Sequence, residues 1–374
     1  MKNSATGTWF QTPEAYGFYE SLPELFTPFV VGVASPKPSP KGKGEQPPSG
    51  SALKGRVGVR PLLRALCVGY VTKEKSRLKQ FFTRRAIIIG GPVIADDASS
   101  EETEALMRAV VESVGCKVYN THYTFNITQN FSSPIYIETR NFNDYSQWRG
   151  TFEKVGFEYK KHLNFHVDTS SAEVVESNLG KSRKRDIRTT IREGVSVVTI
   201  GDLSFVNGDC KSQIDDLERE RLVREYYGIL EKLYKTKVKT PLFPVEFFLE
   251  LSKQKDARFL LTEYQGHIIG GTVCVMQEGR CLYEWFACGE DGVYPHVFPS
   301  CYATYAGIKY AAEHGCARFD MMGAGTPDAA YGVREFKAKF GGKEVEHGRF
   351  ICVTKPILYQ IGKFGVWLLK RVSG

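Results

Sequence analysis

The stretch that decides the fold runs from Phe319 to Gly342 and reads FDMMGAGTPDAAYGVREFKAKFGG. An apolar strand ends on Asp320, a glycine-rich loop follows at 323–327, and a short basic helix carries Lys337. A strand, a glycine loop and a basic helix together bring backbone N–H groups and cations to an anionic ligand. An ordinary tight turn followed by a C-capped helix fits the same residues, because a lone glycine-rich loop is a weak signal.

Length and composition restrict the class of protein. The 374 residues suffice for one large domain or two of ordinary size. A hydrophobic content of 42% and an aromatic content of 13% exclude global disorder. The net charge of +8 suits an anionic partner such as RNA, phosphate groups or an acidic membrane surface. Solubility alone explains a charge of this size unless the cations cluster.

Cysteine usage and hydropathy predict the compartment. The nine cysteines are odd in number, contain no C-x-x-C pair and fall mostly within apolar segments. This favours a reducing compartment over a disulfide framework. The N-terminal residues contain no apolar run typical of a signal peptide, and no stretch approaches the roughly 18 apolar residues of a membrane span. We therefore expect a cytoplasmic protein.

The order of predicted elements indicates an α+β protein with two domains. The first is predicted at 1–168, with a flexible Pro/Gly/Lys-rich insertion at 34–55. The second, at 169–355, runs helix, strand, two helices, a three-stranded meander, helix, strand, helix, strand. A C-terminal helix at 356–374 completes the chain. The first half is a looser version of the same mixture, so two similar units in tandem are predicted without a detectable sequence repeat.

The strongest charge signal is the segment Lys181–Arg192, KSRKRDIRTTIR. On a helix, Lys181, Arg185, Arg188 and Arg192 fall on one face at i, i+4, i+7 and i+11. A single stripe of cations binds phosphate well, through forked guanidinium contacts. We predict that this stripe holds a phosphate-bearing substrate, and a solvated basic helix is the alternative interpretation.

Four stretches resemble the Fem family, which comprises the FemA/FemB/FemX-like peptidyltransferases and their BioF2-like acetyltransferase relatives. FDMMGAG followed by YGVREFKAKFGG resembles the terminal signature of that family. WFQTPEAYGFYES at 9–21 resembles its N-terminal opening, and RRAIIIGGPVI at 84–94 resembles a first-domain strand that ends in a glycine-proline turn. LGKSRKRDIRTTIREGVSVV at 179–198 resembles the basic helix and strand that begin its second domain. The resemblance thus spans the chain in the family's order.

The resemblance implies two tandem GNAT-like domains, each a mixed, largely antiparallel sheet flanked by helices, with a substrate channel across them. It also implies an aminoacyltransferase of peptidoglycan and cell-wall biosynthesis. In characterised members the donor is an aminoacyl-tRNA, and the acceptor is an amine of a peptidoglycan-precursor stem peptide. We therefore expect no cofactor beyond aminoacyl-tRNA as co-substrate. The expected partners are this tRNA and a phosphate-bearing cell-wall precursor, either free or lipid-linked, and the expected place is the cytoplasm or the inner face of the membrane.

The sequence departs from the family and from ordinary GNAT enzymes at two places. Residues 211–255 offer two helices of ordinary length, where some family members have a long coiled-coil arm. Residues 287–300, ACGEDGVYPHVFPS, lack the acyl-CoA loop (Q/R)-x-x-G-x-(G/A). Acyl-CoA and acyl carrier protein are therefore less favoured as donors. Two alternatives stay open: a GNAT-type N-acyltransferase that uses a thioester donor on a lipid, sugar or other small amine, and a non-catalytic module that binds RNA or anionic glycolipid.

The family motif also suggests the catalytic residues. The lysine that matches Lys337 contacts the oxyanion or the donor phosphate, whereas the plain alternative is a surface lysine. Lys339, two positions on, points elsewhere on a helix and is the weaker candidate. Asp320 is predicted to accept a proton or to position the attacking amine, or else to serve as an N-cap or ion pair. The predicted substrate-binding residues are those of the basic stripe and the terminal signature: Arg185, Arg188, Arg192, Lys181, Arg334, Tyr331, Gly323 and Gly325.

Two further expectations concern metal and membrane. The seven histidines show no metal-ligand spacing, so we expect no metal site. His162 and His166 are four apart but fall in a predicted strand without a third ligand. The tail FGVWLLKR at 364–371 resembles an interfacial amphipathic segment, and weak peripheral membrane contact through 356–371 is one interpretation. A helix that docks on the fold is the other.

Overall fold

The computed structural model describes residues 4–35, 62–74, 76–115, 124–128, 133–201, 214–328 and 332–372. The strands in these ranges are β1 (Phe26–Ser35), β2 (Leu62–Thr72), β3 (Ala86–Gly90), β4 (Val93–Ile94), β5 (Thr124–Thr128), β6 (Tyr136–Asn141), β7 (Glu158–Lys160), β8 (Leu163–Asp168), β9 (Ser196–Ile200), β10 (Ala257–Tyr264), β11 (His267–Gln277), β12 (Cys281–Gly289), β13 (Arg318–Gly323), β14 (Lys343–Glu346) and β15 (Arg349–Val353).

The α-helices in the same ranges are α1 (Pro13–Glu20), α2 (Arg77–Thr83), α3 (Ser100–Gly115), α4 (Arg149–Lys154), α5 (Ala172–Asn178), α6 (Lys181–Arg192), α7 (Asp216–Leu233), α8 (Val245–Leu251), α9 (Pro299–Glu313), α10 (Gly332–Ala338) and α11 (Pro356–Val372). Single turns of 3₁₀ helix lie at Trp9–Gln11 and Ser146–Trp148, and a π-helical turn at Tyr234–Val238 extends α7.

The first compact unit comprises Met1–Thr12, Glu24–Tyr159 and Phe350–Gly374. Its strands lie in the order β5-β1-β2-β3-β6-β15-β7, with β4 beside β2. The β1–β2 pair is antiparallel and β3–β6 is parallel. Helix α3 begins with a reciprocal capping box, in which Ser99 and Glu102 each accept the other's backbone N–H.

The second compact unit comprises Pro13–Pro23 and Lys160–Arg349. Its strands lie in the order β14-β8-β13-β12-β11-β10-β9. Glycines with positive φ, Gly266 and Gly279, allow the two tight turns of the antiparallel β10–β11–β12 meander. Phe319 and Phe340 belong to its buried core. The element that carries Asp320 therefore lies inside a packed sheet.

The fold class predicted from the sequence is confirmed. Each unit contains a mixed, largely antiparallel sheet with helices packed beside it. Helix α7 packs on β11 and β12, so the 214–255 region forms part of a domain and not a projecting arm. The predicted insertion at 34–55 begins later than expected, because β1 continues to Ser35 and pairs there with Leu62. The rest of that segment lies outside the described residues.

The bounds of the two units differ from the predicted 1–168 and 169–355. Pro13–Pro23 joins the second unit, where Phe18 packs against Phe247 and Trp285 at ring-centroid distances of 5.1 and 6.2 Å. Strand β8 also belongs to that unit because it pairs with β13 and β14. A turn at Gly348, with φ 64°, splits the expected last strand, and its second half, β15, joins the first sheet.

The first helix predicted for the second domain is two helices in the structure, α5 and α6. The helix is interrupted at Gly180, whose N–H donates to the Lys339 carbonyl at 3.0 Å. A Cβ at this position would lie 2.9 Å from the same carbonyl oxygen, which explains the glycine. Within the described ranges, no helix combines the length and apolarity that crossing a bilayer requires.

Candidate active site and cationic helix

The candidate active site lies where β12 and β13 separate. These parallel strands pair only over Cys281–Tyr283 and Arg318–Asp320. The pairing of β13 with β8 shifts register between Asp320 and Gly323, and Met322 between them has φ 54°. Few non-glycine residues adopt the left-handed region. Strand β13 therefore carries a bulge directly after Asp320, a common device beside active sites.

Lys337 on α10 binds the backbone of this bulge. Its side chain is buried, and Nζ donates to the carbonyls of Met321 and, at 2.9 Å, Gly323. Burial lowers the pKa of Lys337, while the carboxyl groups of Glu284 and Asp320 act in the opposite direction. An ammonium has three N–H donors, and the two carbonyls account for two of them. Lys337 is thus a fixed, partly desolvated cation at the edge of the strand.

Asp320 is fully buried and linked to a histidine that the sequence did not identify. Its Oδ1 accepts the Met322 N–H at 2.8 Å, and Oδ2 lies 3.2 Å from Nε2 of His166. His166 is its register partner on β8 and retains 13% exposure of its side chain. The prediction that the strand ends on Asp320 is wrong, because β13 continues to Gly323. Asp320 has no exposed surface of its own, whereas the side chain of His166 beside it is partly exposed.

Glu284 on β12 is a third buried ionisable group of this cluster. Its Oε1 accepts hydrogen bonds from Thr272 Oγ1 at 3.2 Å and Thr304 Oγ1 at 2.9 Å. Burial raises the pKa of Glu284, while Lys337 and the two threonines counteract the shift. A negative charge on Glu284 therefore favours the charged form of Lys337.

The glycine loop after β13 is held by backbone hydrogen bonds. Ala324 N–H donates to the Leu163 carbonyl at 2.6 Å, and Leu163 N–H donates to the Gly325 carbonyl at 2.8 Å. Gly325 has φ 78°, and a Cβ on Gly323 would lie 2.9 Å from His162 Nε2. Both glycines predicted to admit substrate thus have a structural reason within the fold itself.

Arg334 closes the same loop from α10. Its Nε donates to the Ala324 carbonyl and its NH1 to the Pro327 carbonyl, both at 3.4 Å, and its NH2 donates to the Thr326 carbonyl. The guanidinium therefore binds the backbone and not an open cavity. The remaining predicted residue of this stretch, Tyr331, lies outside the described residues.

The cationic stripe lies on the exposed face of α6. A shallow hollow of about 580 Å³ is lined by the four predicted cations and two neighbours: Lys181, Lys184, Arg185, Arg188, Thr189 and Arg192. The Arg185 and Arg188 side chains are 75% and 74% exposed. Arg185 contacts Asp186 at 3.1 Å, and Arg188 contacts Glu176 at 3.3 Å. The Arg188–Glu176 pair is exposed and therefore weak, so the Arg188 guanidinium can turn to a phosphate. Arg185 donates through Nε and NH2 to the largely buried Asp186 carboxylate and can present its remaining N–H groups to a phosphate.

Arg183, which sequence analysis did not select, connects α6 to α10. Its guanidinium carbon lies 4.4 Å from the ring centroid of Phe336 and 5.0 Å from that of Phe340. Its NH1 lies 3.5 Å from Asp186 Oδ2. Two features of the sequence could have identified Arg183. It lies off the cationic stripe of α6, and two phenylalanines spaced i, i+4 flank Lys337. A cation–π contact of this type contributes about 0.5–2 kcal/mol.

The first amides of α9 are occupied by side chains. Phe298 N–H donates to Thr190 Oγ1 at 3.0 Å, and Ser300 N–H donates to Asp291 Oδ1 at 3.2 Å. A carboxylate therefore lies at a helix end that would otherwise attract an anion. Among the residues that the structure describes, no group of three His, Cys, Asp or Glu side chains is arranged to hold a metal ion.

The sequence around this site and the fold of the chain are both similar to those of known proteins. The sequence model of the FemAB family matches residues 250–364, a segment that includes Glu284, Asp320 and Lys337. A crystal structure of FemX is similar with a TM-score of 0.63 and 12% identity, over 96% of each chain. The C-terminal domain of a candidate lysylphosphatidylglycerol synthetase from Agrobacterium fabrum is similar with a TM-score of 0.50 and 11% identity, over 80% of this chain and 83% of that chain.

No curated protein sequence matched the chain at a significant level. The family match covers the bulge and its lysine, and the FemX fold extends over nearly the whole chain. Residues 250–364 thus match the FemAB family, and the chain as a whole has a fold similar to that of FemX.

Proposed function

We propose that the protein transfers an aminoacyl group from an aminoacyl-tRNA to an amine of a peptidoglycan precursor. The observation that carries this proposal is the buried ammonium of Lys337, fixed by the Met321 and Gly323 carbonyls at the bulge of β13. The FemAB match and the FemX fold support the reaction class.

In this mechanism Lys337 stabilises the charge that develops on the donor. The neutral amine of the acceptor attacks the ester carbonyl carbon, and a C–N bond forms as the carbonyl oxygen becomes an oxyanion. The third N–H of Lys337 donates to that oxygen. A preorganised cation in a partly desolvated site stabilises such a charge far more than water does. Collapse of the intermediate breaks the ester C–O bond and releases the ribose hydroxyl of the tRNA.

His166 and Asp320 carry the proton. Asp320 Oδ2 lies beside Nε2 of His166, and this contact leaves Nδ1 to take the proton that the attacking amine loses. The same proton then passes to the departing ribose oxygen, so that the step is balanced without another reactant. Asp320, fully buried, is a positioning residue in this scheme and not the direct proton acceptor.

The stripe on α6 supplies the binding. Its exposed cations, above all Arg185 and Arg188, contact phosphates of the tRNA acceptor end or the diphosphate of the precursor. These contacts lie outside the buried cluster. They therefore raise affinity without altering the chemistry at Lys337.

The α9 terminus favours tRNA over a thioester donor. A CoA pyrophosphate would meet the Asp291 carboxylate that already accepts the Ser300 N–H. We therefore propose no dissociable cofactor and rank acyl-CoA and acyl carrier protein below aminoacyl-tRNA. The fold similarity to a candidate lysylphosphatidylglycerol synthetase makes a lipid headgroup the second acceptor to test.

One experiment separates these donors and acceptors. The purified protein is incubated with charged tRNA or acyl-CoA and with lipid-linked muropeptide, phosphatidylglycerol or a small amine, and the acceptor mass is followed. We expect a mass increase of one aminoacyl residue on the muropeptide with charged tRNA, and none with uncharged tRNA. Product from acyl-CoA alone would overturn the proposed donor. Product on phosphatidylglycerol alone would overturn the proposed acceptor.

A further inference from the structure

Two helices of the first unit expose large apolar side chains side by side. Five residues make up this surface, which we call the α2–α11 patch: Phe81 (54% exposed), Phe82 (37%), Ile357 (78%), Ile361 (49%) and Phe364 (62%). A cluster of this size on one face of a folded unit is unusual, since single exposed apolar residues are common but grouped ones mark interaction sites.

The two helices form one surface. Helix α11 packs against α2, and a Cβ on Gly362 would lie 3.9 Å from the Phe82 carbonyl oxygen. Ile357, Ile361 and Phe364 are spaced i, i+4 and i+7, so they share one face of α11. The patch therefore continues from one helix to the other.

Other residues of α11 hold it on the unit. The Tyr359 ring packs edge-on against that of Tyr136, with the centroids 5.5 Å apart. Just before the helix, Lys355 Nζ donates to the Ser133 carbonyl at 3.0 Å. The tail is thus docked on the unit by one set of residues, while Ile357, Ile361 and Phe364 remain exposed.

The two helices themselves carry charge of one sign. Neither RLKQFFT of α2 nor PILYQIGKFGVWLLKRV of α11 contains Asp or Glu. Lys363 is exposed beside Phe364, and Arg84 and Arg85 follow α2 directly. By contrast, the exposed Leu217 on α7 lies between Asp216 and Glu218. Glu74, whose N–H donates to the Gln80 side chain, is an acidic residue at the edge of α2, where Lys73, Arg84 and Arg85 outnumber it. Apolar residues among an excess of cations complement a bilayer that carries anionic headgroups.

We infer that the α2–α11 patch is a peripheral docking surface for an anionic lipid bilayer. The apolar side chains enter the boundary between headgroups and acyl chains, while the cations contact lipid phosphates. Neither helix crosses the bilayer, in accord with the hydropathy of the described helices. The inference does not depend on the proposed reaction, because it rests on a surface of the first unit alone.

Vesicle sedimentation tests the inference. The full chain is mixed with vesicles of phosphatidylcholine, or of phosphatidylcholine with phosphatidylglycerol, and the bound fraction is measured. We expect binding to the anionic vesicles, weaker binding to the neutral ones, and loss of binding at high salt. Phe364→Ser and Phe81→Ser each lower the partition coefficient about tenfold, because a buried aromatic side chain contributes on that order.

The control variants distinguish the patch from general stickiness and misfolding. Leu217→Ser removes an even more exposed apolar residue, which lies among acidic neighbours, and leaves vesicle binding unchanged. Circular dichroism and the unfolding midpoint are expected to match wild type for all three variants. Absence of binding to anionic vesicles, or equal binding by wild type and both patch variants, would overturn the inference. So would self-association that both patch variants abolish while vesicle binding persists. Transfer to a water-soluble acceptor is unaffected by Phe364→Ser, which separates this test from that of the proposed function.

Discussion

Helices α6 and α10 are both short and cationic, yet they use their cations in opposite ways. On α6 the guanidinium groups of Arg185 and Arg188 are about three-quarters exposed beside a shallow hollow. On α10, Arg334 and Lys337 donate to backbone carbonyls of the strand and loop that precede the helix. Charge exposed to water is available for a ligand, whereas charge bound to carbonyls shapes the protein.

The difference suggests a division between binding and chemistry. An exposed cation can follow a flexible phosphate, whereas a buried one holds a fixed direction and acts in a medium of lower polarity. Arg183 joins the two helices through Phe336 and Phe340. We therefore expect α6 to set affinity and α10 to set the rate of the chemical step.

The largest effect is expected for Lys337→Met, which keeps most of the side-chain volume and removes the ammonium. The transfer rate should fall about 10²–10³-fold, the usual cost of losing one oxyanion donor. The Met321 and Gly323 carbonyls also lose their partner, at about 1–3 kcal/mol of folding stability. Single-turnover kinetics and thermal unfolding measure the two effects. Lys339→Met, on an exposed neighbour, is the matched control. An equal loss of rate in that variant would show that the rate depends on the overall positive charge of α10 and not on Lys337 itself.

The next largest effect is expected for His166→Asn. Loss of the proton acceptor beside Asp320 should slow transfer about a hundredfold, which single-turnover kinetics measure.

His267→Asn, on an exposed histidine at the start of β11, is the control for this variant. A transfer rate that is unchanged in His166→Asn would show that another group accepts the proton.

A smaller effect, confined to binding, is expected for the double variant Arg185→Gln/Arg188→Gln. Each lost phosphate contact should raise KM about tenfold, since a charge-assisted hydrogen bond contributes at least 1.4 kcal/mol. The salt dependence of donor or acceptor affinity should weaken by about 0.7 in logarithmic slope per contact. Arg224→Gln, on a half-exposed arginine of α7, is the control. A fall in kcat at unchanged KM would contradict the assignment of α6 to binding.

The smallest effect is a shift in pH dependence for Glu284→Gln. The Glu284 carboxylate counteracts the lowering of the Lys337 pKa by burial. Without it that pKa falls further, so the alkaline limb of the rate profile moves to lower pH. Glu313→Gln, on the exposed end of α9, should leave the limb in place. An alkaline limb that does not move in Glu284→Gln would contradict its assignment to the deprotonation of Lys337.

Local periodicity made some of these features predictable. The cation stripe follows from the spacing of four residues on one helix, and the hollow beside α6 is lined by those four. The element order likewise predicted two α+β units in tandem. Such inferences need only neighbours in sequence.

Other features depend on contacts between distant segments. The His166–Asp320 pair exists because β8 aligns with β13, and its register is set far from either residue. The bulge at Met322, and hence the carbonyl partners of Lys337, cannot be derived from the composition of α10. The transfer of Pro13–Pro23 to the second unit likewise depends on the aromatic contacts of Phe18.

The central claim is that α10 governs the rate and α6 governs the affinity. The most direct test is single-turnover transfer from charged tRNA, measured against substrate concentration for Lys337→Met and for Arg185→Gln/Arg188→Gln. We predict that the lysine variant lowers the saturating rate with little change in half-saturation, and that the arginine variant raises half-saturation with little change in rate. Equal changes of both quantities in both variants would contradict the claim.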